Sequence, residues 1–385
     1  MNFTDEIFIL DGATGTELMK RGMPAGVCTE EWILKNENIF IDIQKKYAEA
    51  GSQAVYAPTF GANKIKLKNS CLKDDVYNTN IRLLELSKKA TGGRVYIGGD
   101  ISPVGELLEP LGGLSEEMLI QAYKEQMQAF YDFSVDFIIA ETMMDIREVK
   151  CALFAFKEIY KDKKCPFFVS MTLETNGKTL TGTDPLTAML LAEYYGADAF
   201  GINCSAGPDS MIEIIKEIYP YSKLPLIVKP NAGLPEETDS GLVFSMNPQK
   251  FGCHMAELIK SGAGILGGCC GTTSEYISEI KAVSKKEKCE LKKADSIKYV
   301  SSLRKTVILN ENTEITKIEL NNDSDIDDTY YDIMDAEVAE LSINCDNERL
   351  IALLSQINMT VFTPIIFKAD EAQIEIIKHN YTGAF

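Results

Sequence analysis

"LAEYYGADAFGINCSAGP", residues 191–208, holds one complete turn of a repeating pattern. An apolar helical stretch ends at Tyr195, and Gly196 follows where a left-handed cap belongs, because glycine has no Cβ to clash there. Next comes "AFGIN" (199–203), a short apolar run of the kind found in strands buried on both faces. It finishes in polar residues, Asn203 and Cys204, before the next helix begins. The same succession of helix, glycine and buried strand recurs in "AEAGSQAVY" around Gly51 and in "IKSGAGIL" around Gly262.

Further short apolar runs are "IFILD" (7–11), "AVYAPT" (54–59), "VYIGGD" (95–100), "FIIAE" (137–141), "FFVSM" (167–171), "LIVKPN" (226–231) and "GILGGC" (264–269). Between them lie helical patterns such as "DIREVKCALFAFKEIY", "PLTAMLLAEYY" and "NPQKFGCHMAELIK". Another helix starts after Ser115, an N-cap type followed by Glu116 and Glu117. Eight strand-then-helix units predict an α/β fold, a closed (β/α)8 TIM barrel over roughly residues 5–285. The alternative, an open doubly wound sheet, lacks a G-x-G-x-x-G after the first strand. In such a barrel the chemistry sits at the C-terminal ends of the strands. Those ends carry Asp11, Thr59, Asp100, Glu141, Asn203, Cys204, Asn231, Cys269 and Cys270.

The 385 residues are 45% hydrophobic and 25% charged, with a formal net charge of −18, which argues against nucleic acid or an anionic membrane as partner. No apolar stretch approaches the roughly 20 residues that span a bilayer, and the N-terminus lacks the features of a signal peptide. A cytoplasmic location is expected, in which the ten cysteines are free, buried or metal-bound rather than disulfide-linked. With only two histidines, His254 and His379, a metal site must draw on sulfur and carboxylates.

"GGCCGTT" (267–273) sets two thiols side by side. Neighbouring strand residues face opposite sides, so Cys269 and Cys270 can converge only if the chain leaves strand geometry, which Gly267, Gly268 and Gly271 permit. A disulfide between adjacent residues is badly strained. A metal that collects both thiolates, with Cys204 from the sixth strand as the candidate third ligand, is the better account. Three thiolates suit Zn²⁺, and a fourth position left open fits a catalytic site. Three anionic sulfurs blunt the metal's Lewis acidity, which disfavours water activation. A bound thiol would still lose its proton, and its sulfur could then attack an electrophilic carbon. A zinc hydrolase normally uses histidine and carboxylate ligands, which this pattern lacks.

The motifs "LDGATGTELMKRG", "APTFGAN", "GGDISPVGEL", "GINCSAGP", "KPNAGLP" and "GGCCGTT" together resemble the homocysteine S-methyltransferases, and most of all the homocysteine-binding barrel of cobalamin-dependent methionine synthases. The resemblance covers roughly residues 5–285. It implies zinc on Cys204, Cys269 and Cys270, with homocysteine accepting a methyl group to become methionine. It also implies Glu141 at the substrate ammonium, assisted by Asn231, with Asp11 orienting the site or the ammonium. The backbone of Gly12, Ala13, Thr14 and Gly15 would meet the substrate carboxylate. Thr59, Asp100, Asn203 and Thr183 (in "LTGTDP") are weaker candidates that order the mouth.

No D-x-H-x-x-G cobalamin motif is present, so the methyl donor is expected to be methylcobalamin on a separate corrinoid protein, or else a small molecule such as S-methylmethionine. A non-catalytic thiol- or zinc-binding scaffold of a methyltransferase complex is the reading from another class. The expected organisation is a barrel over 1–288, a charged and partly flexible linker over 289–337, and a small β-α-β-α extension over 338–385.

Overall fold

The computed structural model describes residues 1–4, 6–73, 75–238, 241–287 and 297–385. Eight parallel strands form its centre: β1 (Phe8–Ile9), β2 (Ala54–Tyr56), β3 (Tyr96–Ile101), β4 (Phe137–Met143), β5 (Phe167–Met171), β6 (Ala199–Cys204), β7 (Leu226–Pro230) and β8 (Ala263–Leu266). Their order is β1-β8-β7-β6-β5-β4-β3-β2, so the first strand pairs with the last. The remaining seam is bridged beside β2, where the Gln53 N–H donates to the Ile9 carbonyl at 2.7 Å and the Gln53 Oε1 accepts from the Ile9 N–H at 3.0 Å. The fold is the expected (β/α)8 barrel, with helices packed outside.

Local signals place the helices. Gly51, Gly196 and Gly262 all take positive φ just before the strands that follow them. Ser115 accepts the Met118 N–H at 3.2 Å, and Asp184 caps the helix that opens with Pro185. Inside the barrel, Phe8, Leu10, Phe137, Ile139, Phe168, Ile227 and Ile265 form an apolar plug separate from the larger core between strands and helices. Phe137 and Phe168 sit 5.0 Å apart, and Phe3 closes on Phe168 at 4.9 Å.

Part of the stretch expected as a charged linker is regular structure. Tyr299–Ser301 and Thr306–Ile308 form an antiparallel hairpin, Ile315–Asn321 is a strand, and Ile326–Asp335 is a helix. The strand Ile315–Asn321 pairs in parallel with Val338–Asn344, which pairs in turn with Ile365–Lys368. The C-terminal sheet therefore begins well before residue 338. The acidic run signals a helix start: Asp325 accepts the N–H groups of Asp327 and Asp328, and acidic side chains complement the positive end of the helix dipole. The basic part of the linker falls mostly on residues 288–296, outside the described set.

This extension is anchored to the barrel by buried polar contacts. Thr183 donates to the Leu303 carbonyl at 2.9 Å, Tyr195 accepts the Gly383 N–H at 3.2 Å, and the buried Lys150 ammonium donates to the His379 carbonyl at 2.7 Å. Thr183 is thus a fastener for the extension and not a residue of the mouth. Among the described residues no helix is long and apolar enough to cross a membrane.

Candidate active site

Alternation along a strand sends every second residue inward. On β4 the inward series is Phe137, Ile139 and Glu141; on β7 it is Ile227 and Lys229. The apolar plug therefore gives way, on the same faces of the same strands, to charged groups at the C-terminal mouth.

The three cysteines reach this mouth by different routes. Cys204 ends β6 directly after Asn203 and has φ +62°, a left-handed conformation that costs of order 1 kcal/mol or more in a non-glycine residue and redirects its side chain. Cys269 and Cys270 lie just beyond β8. Of the flanking glycines only Gly271 adopts positive φ, +81°. Gly267 is needed for close approach instead: a Cβ there would lie 2.9 Å from the Asp11 carbonyl oxygen and from Lys229 Cγ.

The three Sγ atoms lie within 4.8 Å of one another, with Cys204 and Cys270 4.0 Å apart. Tetrahedral ligands at about 2.3 Å from a zinc ion stand about 3.8 Å apart, so the triad fits such an ion. Surrounding amides hold it. Asn231 Oδ1 accepts the Cys270 N–H at 3.0 Å. Asn203 Oδ1 accepts the Ser170 hydroxyl at 2.8 Å and the Thr142 N–H at 3.0 Å, while its Nδ2 points toward Cys269 Sγ at 3.9 Å. Hydrogen bonds from Cys269 and Cys270 pull the Cys204 thiol below its ordinary value, and the same sharing pushes the other two up. A group of thiols that competes for one negative charge is one that a dication can ionise fully.

Beside the thiols is a second cluster, centred on Lys229, which is 2% exposed. Its ammonium lies 3.1 Å from Asp11 Oδ1, 2.9 Å from Glu141 Oε1 and 3.6 Å from the centre of the Tyr56 ring. Burial alone would lower the Lys229 ammonium. The fields of Glu141, Tyr56 and Asp11 outweigh it and hold the ammonium well above its ordinary value. Asp11 is fully engaged, since its Oδ2 also accepts the Tyr56 N–H at 2.8 Å. Burial pushes the Glu141 carboxyl up to about 7 against the pull of Lys229. The Lys229 ammonium is the partner of Glu141 Oε1.

Both clusters open into one cavity of about 350 Å³, within the size range of small-molecule sites. Gly12, Ala13, Thr14 and Gly15 line it, as do Asp11, Tyr56, Asp100, Glu141, Lys229 and all three cysteines. Asn231 does not, and its amide oxygen is committed to Cys270; the expected help for a substrate ammonium is replaced by support of the thiol loop. Thr59 clamps the end of β3 through the backbone of Asp100, at 2.8 and 3.0 Å. Lys229 and Tyr56 are not among the site residues expected from the sequence. A lysine inside the buried run "LIVKPN" was the available signal, because a buried ammonium requires a carboxylate partner.

A family model described as homocysteine S-methyltransferase matches residues 8–284. Methionine synthase from Mycobacterium leprae is 28% identical over 293 residues, covering 72% of this chain and 24% of that protein. Methionine synthase from Mycobacterium tuberculosis is 29% identical over 303 residues, covering 72% and 25%. The match thus spans about a quarter of the length of these relatives. Among solved structures, the metallated form of the homocysteine methyltransferase MmuM from Escherichia coli aligns with a TM-score of 0.61 and 22% identity, over 72% of this chain and 96% of that one, a likeness of fold.

Proposed function

The chain belongs to the homocysteine S-methyltransferase family, and from that premise we propose that it transfers a methyl group to the sulfur of homocysteine, giving methionine. The observation that supports this most directly is the set of three thiols within 4.8 Å of one another on the wall of a carboxylate-rich cavity. Cys204, Cys269 and Cys270 would hold zinc, which when bound would supply a site where a substrate thiol ionises near neutral pH.

The chain's own residues bind and orient. The amino-acid end of homocysteine is zwitterionic. The backbone of Gly12 to Gly15 faces its carboxylate, and the carboxylates of the cavity wall face its ammonium. Asn203 and Asn231 hold the thiol-bearing loops in place, so that the three thiols stay converged on the position the metal would take. In the transfer, the thiol proton is lost to solvent and the thiolate sulfur forms a bond to the methyl carbon. The electron pair of the broken bond departs with the donor. A corrinoid protein is the donor proposed, in keeping with the methionine synthase relatives.

The test is methionine formation by zinc-loaded protein given homocysteine, with methylcobalamin and S-methylmethionine in parallel. Turnover with methylcobalamin is expected. Turnover with S-methylmethionine alone would replace the corrinoid donor by a small sulfonium. No methionine from either would contradict the reading.

A further inference from the structure

Four carboxylates line the cavity, Asp11, Glu30, Asp100 and Glu141, and three of them have a polar partner; Glu30 Oε1 accepts the Gly61 N–H at 2.7 Å. Asp11 has both oxygens engaged, by Lys229 and the Tyr56 N–H. Glu141 lies against the Lys229 ammonium. Asp100, on β3, is 5% exposed, and its Oδ1 is enclosed without a hydrogen-bond partner. Among the described residues no basic group lies within ion-pair distance of it. A buried carboxylate without a partner is costly, and it lines the cavity where a ligand would meet it.

The surroundings indicate what kind of ligand. The Tyr56 hydroxyl, on the same cavity wall, is also buried without a hydrogen-bond partner. One of these two orphaned groups is a carboxylate and the other a hydroxyl able to accept, so the missing group is a donor, and the carboxylate calls for positive charge on it. Lys229 cannot serve, because it is drawn between Asp11 and Glu141 and held over the Tyr56 ring.

We propose that Asp100 is the specificity-determining contact for the α-ammonium of the amino-acid thiol, with the Tyr56 hydroxyl and Glu141 beside it and Lys229 as the internal counter-ion of Asp11 and Glu141. This rests on homocysteine as acceptor and adds which carboxylate recognises it. A thiol without the ammonium leaves Asp100 orphaned, and sites built to bind a polar group reject analogues that lack it far more strongly than they sense a missing methylene.

The test is calorimetric binding of two thiols to the zinc-loaded full chain: homocysteine, and 4-mercaptobutanoate, which is homocysteine with hydrogen in place of the amino group. Wild type is expected to prefer homocysteine at least tenfold, on the order of a lost charged hydrogen bond. Asp100→Asn is expected to weaken homocysteine by about tenfold or more while leaving 4-mercaptobutanoate unchanged or tighter. Tyr56→Phe, which removes only a hydroxyl, shifts the same ratio in the same direction by less. Equal losses for both thiols in Asp100→Asn, or no loss for homocysteine, would overturn the assignment. Wild type that binds neither thiol would instead overturn the acceptor reading beneath it.

Discussion

The lower and upper halves of the barrel interior are built on the same inward faces of the same strands, yet they obey different rules. Below, Phe8, Phe137 and Phe168 fill the space and are fully buried. Their contribution follows the apolar area removed from water, about 2–3 kcal/mol for each large side chain. Above, two residues beyond Ile139 on β4 and Ile227 on β7, Glu141 and Lys229 are nearly as enclosed but owe their place to one another's charge. The lower half needs only shape. The upper half needs assigned partners, and Asp100 is left without one.

Lys229→Met separates the halves most sharply. It strands Asp11 and Glu141 against each other, so a stability loss of about 3 kcal/mol or more is expected in denaturant unfolding, together with a large fall in homocysteine affinity. Retained affinity would mean that the Lys229 cluster is only structural. Phe168→Ala, in the plug, is expected to cost a comparable 3–5 kcal/mol or so through cavity formation, but with zinc stoichiometry and thiol affinity preserved in the folded fraction. Loss of zinc there would show that the two halves do not act separately.

The smallest expected effect has the opposite sign. Burial, then the field of Glu141, raises the Asp100 carboxyl above its ordinary 3.8. The folded state therefore keeps this proton to higher pH than the unfolded state does. Stability is lost as pH rises from about 3.8 through the raised folded value. Asp100→Asn removes that loss. Its melting temperature without thiol should match wild type near pH 4 and exceed it by a few degrees at pH 8. A lower melting temperature at pH 8 would mean that Asp100 has a stabilising partner.

Local features carry information that sequence expresses directly. Gly51, Gly196 and Gly262 mark helix exits because the left-handed region favours glycine, and they place three of the barrel's helix-to-strand turns. The thiols are legible because adjacent cysteines among glycines have few uses. Pairings that exist only once the barrel closes are not legible: Lys229 finds Asp11, 218 positions away in sequence. Spacing could suggest that this lysine needs a carboxylate but not which one. Thr183 resembled a mouth residue, but its partner is the Leu303 carbonyl in the extension, whose docking no local pattern announced. The charge density of the acidic run before Glu337 suggests a flexible linker, yet Asp325 and the two aspartates after it have the arrangement of a helix N-terminus.

The most direct test of the central claim, that three thiols at the mouth hold the metal at which homocysteine is methylated, is the zinc content and methionine production of Cys269→Ser beside wild type. The expected result is one zinc per chain and methylation in wild type, with both lost in the variant and its melting curve little changed. A Cys269→Ser protein that keeps its zinc and still makes methionine would contradict the claim.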